Sequence, residues 1–204
     1  IDAGARARPP RPHTGARAVL LQIVSAGADD KPVPPALVLG ALIGLERHAQ
    51  FPDSFDAASL TATMNALLKL VNRDQPIQGM DREAYAWLRL RAASTLAQLG
   101  SLGPKNEVHD AILKLVAEFR LIDDRVAAAA LLNKLQYEGA KVDGGAAMAT
   151  FFKLARDLGA EEAKRAEDFQ NSQPGIGGGF GTPGRERMML GPMSGSGIGE
   201  AESF

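Results

Sequence analysis

The chain has 204 residues, 45% of them hydrophobic, enough to bury one core with terminal segments to spare. Its 23 Lys and Arg stand against 24 Asp and Glu, so it lacks the overall basic excess of a protein that coats nucleic acid. With no cysteine, disulfides, thiolate nucleophiles and cysteine-ligated zinc or iron–sulfur sites are excluded together.

No apolar run reaches the roughly 18 to 20 residues of a membrane helix. The longest is "PALVLGALIGL" at 35–45, so no spanning segment is expected. The chain opens on Ile1 rather than Met, which reads as an excerpt or a processed form. The compartment stays open, the cytoplasm being the default and export compatible with the missing Met.

Residues 1–13, "IDAGARARPPRPH", combine three prolines with Arg6, Arg8 and Arg11 and show no apolar period, which predicts an extended, mobile arm ending at His13. From Thr14 to about residue 171, apolar residues recur at three- and four-residue steps without β-strand alternation. An all-α domain is expected.

The first helix starts at Thr14 as N-cap and carries Val19, Leu20, Ile23 and Val24 to a C-terminal Gly27. The second opens on Pro35 and carries Leu39, Leu42, Ile43 and Leu45 to Ala49. Asp56 introduces a third with Leu60, Met64, Leu67, Leu68 and Val71, and Asp81 caps a fourth with Leu88, Ala92, Leu96 and Leu99, stopped at Gly100. A fifth sets Val108, Ile112, Leu115, Val116 and Phe119 in register. Asp123 or Asp124 caps a sixth through Val126, Ala129, Leu132 and Leu135. A seventh, from about Asp143, carries Met148, Phe151, Phe152, Ala155 and Leu158, and a short charged eighth follows Gly159. From Ser172 to the end, glycine, serine and proline with scattered Met predict a flexible tail, in which "RERMMLGPM" at 185–193 could be a short docking motif.

The odd-numbered helices begin about 40 to 48 residues apart, the period of two-helix solenoid repeats. Within that period "LRAASTLAQL" at 90–99 and "VAAAALLNKL" at 126–135 superpose without gaps at an offset of 36, pairing Ala93 with Ala129, Leu96 with Leu132 and Leu99 with Leu135. These two segments resemble the second-helix signature of HEAT repeats: an aliphatic residue, paired alanines, a leucine and often a closing "LG", here Leu99–Gly100 after the first segment. The first pair, "ALVLGALIGLERH", lacks a clean copy, and the arginine that often follows the leading aliphatic residue is present as Arg91 but is Ala127 in the second segment.

The resemblance implies a right-handed α-solenoid of about four antiparallel helix pairs, the alternative being an irregular helical bundle. It also implies a binding scaffold without catalysis of its own. In such solenoids the second helix of each pair lines the concave side, which selects Glu46, Arg47, Arg89, Gln98, Asn133, Lys134 and Tyr137 as partner-binding residues. The expected partner is another protein or a larger assembly. Nucleic acid is the alternative, through the arm residues Arg6, Arg8 and Arg11 together with Arg82, Arg89 and Arg91 beside Tyr85 and Trp87.

Catalytic signals are sparse. The three histidines, His13, His48 and His109, form no metal spacing, and no cofactor pattern is read. Glu46 with His48, and Glu107 with His109, are the acid–base groups an enzyme on this scaffold would use; helix-end electrostatics account for both pairs as well. The adjacent carboxylates Asp29–Asp30 and Asp123–Asp124 read as turn and cap residues. Gly179, Gly181 and Gly184 spell GxGxxG, but no strand precedes them and Pro183 interrupts the turn, so no dinucleotide or phosphate site follows.

Overall fold

The computed structural model describes residues 13–172, and every regular element among them is helical. The arm through residue 12 and everything from residue 173 onward, including the 185–193 motif and the GxGxxG glycines, lie outside the described residues. The helices are α1 (Thr14–Ala28), α2 (Pro35–Ala49), α3 (Ala57–Asn72), α4 (Arg82–Leu99), α5 (Glu107–Glu118), α6 (Ile122–Leu131) and α7 (Gly144–Ser172), with 3₁₀ turns at Pro52–Ser54 and Leu132–Lys134.

Several boundaries follow from caps that the sequence displays. The carboxylates of Asp56 and Asp81 accept from the backbone N–H of Ser59 and Ala84 at 2.8 and 2.7 Å. Gly100, at φ 73°, ends α4 in the left-handed conformation that a residue without Cβ adopts freely.

Others differ from expectation. His13 rather than Thr14 caps α1, its Nδ1 accepting from the N–H of Ala16 at 3.2 Å. Gly27 lies inside α1. The stop is made by Asp30 at φ 58° while the N–H of Lys31 reaches back to the carbonyl of Ala26 at 3.0 Å, a Schellman closure with aspartate where glycine usually sits. Leu121 is the N-cap of α6, and Asp123 and Asp124 occupy its first turn, favourable for the helix dipole without capping it. The expected eighth helix is not separate, because α7 runs through Gly159 unbroken.

Helices pack within pairs, α1 on α2, α3 on α4 and α5 on α6, and between pairs, α1 on α3 on α5 and α2 on α4 on α6. Two layers result. Leu42, Leu45, Leu67, Leu70, Leu88, Leu96, Ile112 and Leu115 fill the space between them with essentially no exposure. Two glycines set the approach of α1 to α2: a Cβ on Gly27 would stand 2.7 Å from Val38 Cγ2, and one on Gly44 would stand 2.8 Å from Leu20 Cδ1.

The apolar stripes expected on α4 and α5 are buried throughout. On α6 the expected stripe holds only in part: Leu132 and Leu135 are buried as expected and Ala129 is half-buried, but Val126 is 40% exposed and Arg125, Ala128 and Leu131 are buried instead. The stripe expected to be core on α7 is the larger departure. Only Leu154 is buried, while Met148, Phe151 and Phe152 face solvent. Three packed pairs, not four, make the body.

The chain divides into compact units at Lys164–Arg165. Of the second unit, residues 165–172 are described, and they are helical and exposed.

Candidate binding surface

In α4 the flanks meet α2 and α6 and the inner side meets α3 and α5, so one polar stripe is left open, running through Trp87, Arg91 and Ser94 at three- and four-residue steps. The Arg91 guanidinium lies 4.9 Å from the Trp87 ring centroid, a cation–π pair, and its Nη1 donates to both carboxylate oxygens of Glu46 at 3.2 Å. Ser94 Oγ donates to the same carboxylate at 3.1 Å. Glu46, with a side chain only 13% exposed, therefore ties α2 to α4 and holds the Trp87–Arg91 pair in place.

The residues expected to contact a partner separate into two groups. Arg47, Asn133, Lys134 and Tyr137 are exposed. Tyr137 remains partly anchored, its hydroxyl donating to the carbonyl of Leu132 at 3.1 Å and its ring meeting His109 edge-on, and burial pushes its hydroxyl above the usual tyrosine range.

Glu46, Arg89 and Gln98 are half-buried and turned inward. Arg89 Nε donates to the carbonyl of Val71 at 2.8 Å, its Nη2 faces Glu118 at 3.6 Å, and its guanidinium lies 5.7 Å from the Phe119 ring centroid. It braces α4 against the ends of α3 and α5. Arg125 does the equivalent on α6, donating from Nε to the carbonyl of Val116 at 2.7 Å and from Nη1 to Asp157 at 2.8 Å.

The residues considered for acid–base work occupy two different layers, Glu46 and His48 on α2, Glu107 and His109 on α5. Burial, reinforced by Arg17 and His13, holds the His48 imidazole below its ordinary value. Glu107 accepts from the N–H of Lys105 at 2.9 Å, which holds its carboxyl low, and buried His109 faces Asp110 at 3.0 Å. Among the described residues no three His, Asp or Glu side chains stand close enough to hold a metal ion.

An open groove of about 640 Å³ runs along the ends of α1 and α3, lined by Ala28, Asp30, Leu68, Lys69, Asn72, Arg73, Asp74 and Gln75. Its cations are matched inside the fold, Lys69 by Asp29 and Arg73 by Asp30. The first of these pairs also holds the Asp29 carboxyl low. The groove is thus electrostatically balanced, with no surplus of charge to select an ion.

For nucleic acid, the two aromatic neighbours part company. Tyr85 is buried, donating its hydroxyl to the carbonyl of Leu70 at 2.9 Å, whereas Trp87 is 39% exposed. Sequence reasoning missed the Glu46 bridge and buried Arg17, which donates to the carbonyl of Ser54 at 2.7 Å and lies 4.3 Å from the Phe55 ring centroid. Arg125 had a readable signal: it falls 36 residues after Arg89, the offset of the repeated segments.

Compared with known protein families, curated proteins and solved structures, the chain matches none. Among the described residues no helix is long and apolar enough to cross a membrane.

Proposed function

We propose that the chain is a protein-binding scaffold: a short right-handed α-solenoid resembling HEAT repeats, with three complete helix pairs followed by α7, and with the outer face of α2, α4 and α6 as its contact surface. The observation that carries this reading is the Trp87–Arg91 pair, half-exposed yet fixed from behind by Glu46. A rigid aromatic beside an arginine is the composition of interface anchors, because both lose little conformational entropy on contact. Arg47 on α2 and Lys134 after α6, both exposed, would add positive charge for contact with an acidic patch on another protein. The reading includes no catalysis by this chain and no cofactor.

The test uses the full chain and a Trp87→Ala/Arg47→Glu/Lys134→Glu variant as parallel baits in lysate from the source organism, with circular dichroism to confirm equal helix content. A recurrent protein captured by the wild type and lost from the variant supports the scaffold face. Identical captures remove it. A salt-sensitive nucleic-acid absorbance in the eluate instead assigns the Trp87–Arg91 pair to base stacking and phosphate contact.

A further inference from the structure

α7 carries more apolar surface than the body covers. At about 100° per residue, Thr150, Leu154, Asp157 and Leu158 share one side of the helix. Leu154 is buried there, and the other three are half-buried, Asp157 being held by Arg125. Continuing round the helix come Phe151, Ala155, Met148 and Phe152, with Phe151 at 36%, Met148 at 55% and Phe152 at 68% exposure. The apolar arc therefore continues beyond the contact made with the body. Met148, Phe151 or Phe152, and Ala155 follow the i, i+3 or i+4, i+7 spacing by which one helix receives another.

Charge decides the occupant. Beyond Phe152 the arc is edged by Arg156, 77% exposed, and Lys153, also exposed; among the described residues Lys153 has no ion pair, and Arg156 meets only the already engaged Asp157, at 3.5 Å. A second copy of α7 laid antiparallel on the stripe would bring like flanks together, Lys153 and Arg156 of one copy against those of the other, which is repulsive. A parallel copy would need the opposite flank, which faces the body.

We propose that the Met148–Phe151–Phe152–Ala155 stripe of α7 is a docking site for an amphipathic helix of another protein, with an acidic flank that meets Lys153 and Arg156. Met148 supplies an adaptable contact, and the two phenylalanines supply most of the buried area. The site is on a different helix from the α2–α4–α6 face and does not rest on that reading.

The test is fluorescence anisotropy of the full chain with a labelled, helix-forming peptide of about 18 residues, bearing leucines at i, i+3 or i+4, i+7 and glutamates along one flank, against a twin with lysines in place of the glutamates. The expected result is about tenfold or greater preference for the acidic peptide, about tenfold weakening by Phe152→Ser, and reversal of the preference by Lys153→Glu/Arg156→Glu. All three positions are exposed, so thermal melts of the variants should overlay the wild type. Equal binding of the two peptides, no binding of either, or indifference to Phe152→Ser overturns the proposal. So does a concentration-dependent dimer in sedimentation velocity that Phe152→Ser abolishes, which would make a second copy the occupant.

Discussion

Arg89 and Arg125 stand 36 residues apart, and each donates its Nε to the carbonyl of a valine near the end of the preceding helix, Val71 at 2.8 Å and Val116 at 2.7 Å. The last carbonyls of a helix have no partner within it, so a charged donor from the next helix both satisfies one and fixes how the pair closes. Replacing Arg125 by Met keeps the stem's packing but strands the Val116 carbonyl, and urea unfolding should show a loss of about 1.5 to 3 kcal/mol. Arg89→Met should behave alike. A change below about 0.5 kcal/mol in both would mean that the matched bonds do not contribute to holding the pairs closed.

The same relationship shows what could be read from the chain alone. Helices α4 and α5 are packed by neighbours, so their periodic apolar positions translate directly into burial. α7 has an equally clear stripe, but periodicity says which residues share a face and not whether anything covers it, and Phe152 is left 68% exposed. The polar positions were legible in the same partial way. Arg47, Asn133 and Lys134 are exposed as their alternation implies, whereas Glu46 and Arg89, on similar positions, reach long side chains back into the fold. The α1 stop shows another limit: Gly27 is needed for closeness to Val38, and Asp30 takes the left-handed turn.

Three helical glycines separate propensity from packing. A methyl group added at Gly40 on α2 would stand in open space, with nothing within 4 Å, so Gly40→Ala should stabilise by about 0.5 to 1 kcal/mol through reduced freedom of the unfolded chain. Gly44→Ala meets the flexible end of half-buried Leu20 and should come out near neutral. Gly27→Ala meets both methyls of fully buried, β-branched Val38 at 2.7 and 2.9 Å and should destabilise by about 1 to 3 kcal/mol. Val38→Ala in the same chain should recover part of that loss, and the ordering of the three melts is the check.

His48 sets an acid edge. Its folded pKa lies below the ordinary value near 6.5 because burial, Arg17 and His13 disfavour the imidazolium. The unfolded chain then binds more protons than the native one in the window below about 6.5, so this contribution to stability is present above that pH and declines as pH falls. Unfolding midpoints in urea measured from pH 7.5 down to about 5 should fall more steeply for the wild type than for His48→Gln. Parallel slopes for the two proteins would assign the acid edge to other groups.

Tyr85 sets the alkaline edge. Burial raises its hydroxyl from the usual 10 to about 12, while the proton is held in a bond to the carbonyl of Leu70 at 2.9 Å. A folded value above the unfolded one means that the native state keeps the proton longer, so the stability it contributes is complete below about pH 10 and is lost as pH rises through about 12. Tyr85→Phe should remove that dependence and, by leaving the Leu70 carbonyl without its donor, lower stability at neutral pH by about 1 kcal/mol. The chain has only two tyrosines, so phenolate absorbance is a direct readout: the transition near 12 should vanish in the variant and leave the Tyr137 signal alone. A wild-type titration with no phenol ionising as late as about 12 would show that Tyr85 reaches solvent before the fold opens.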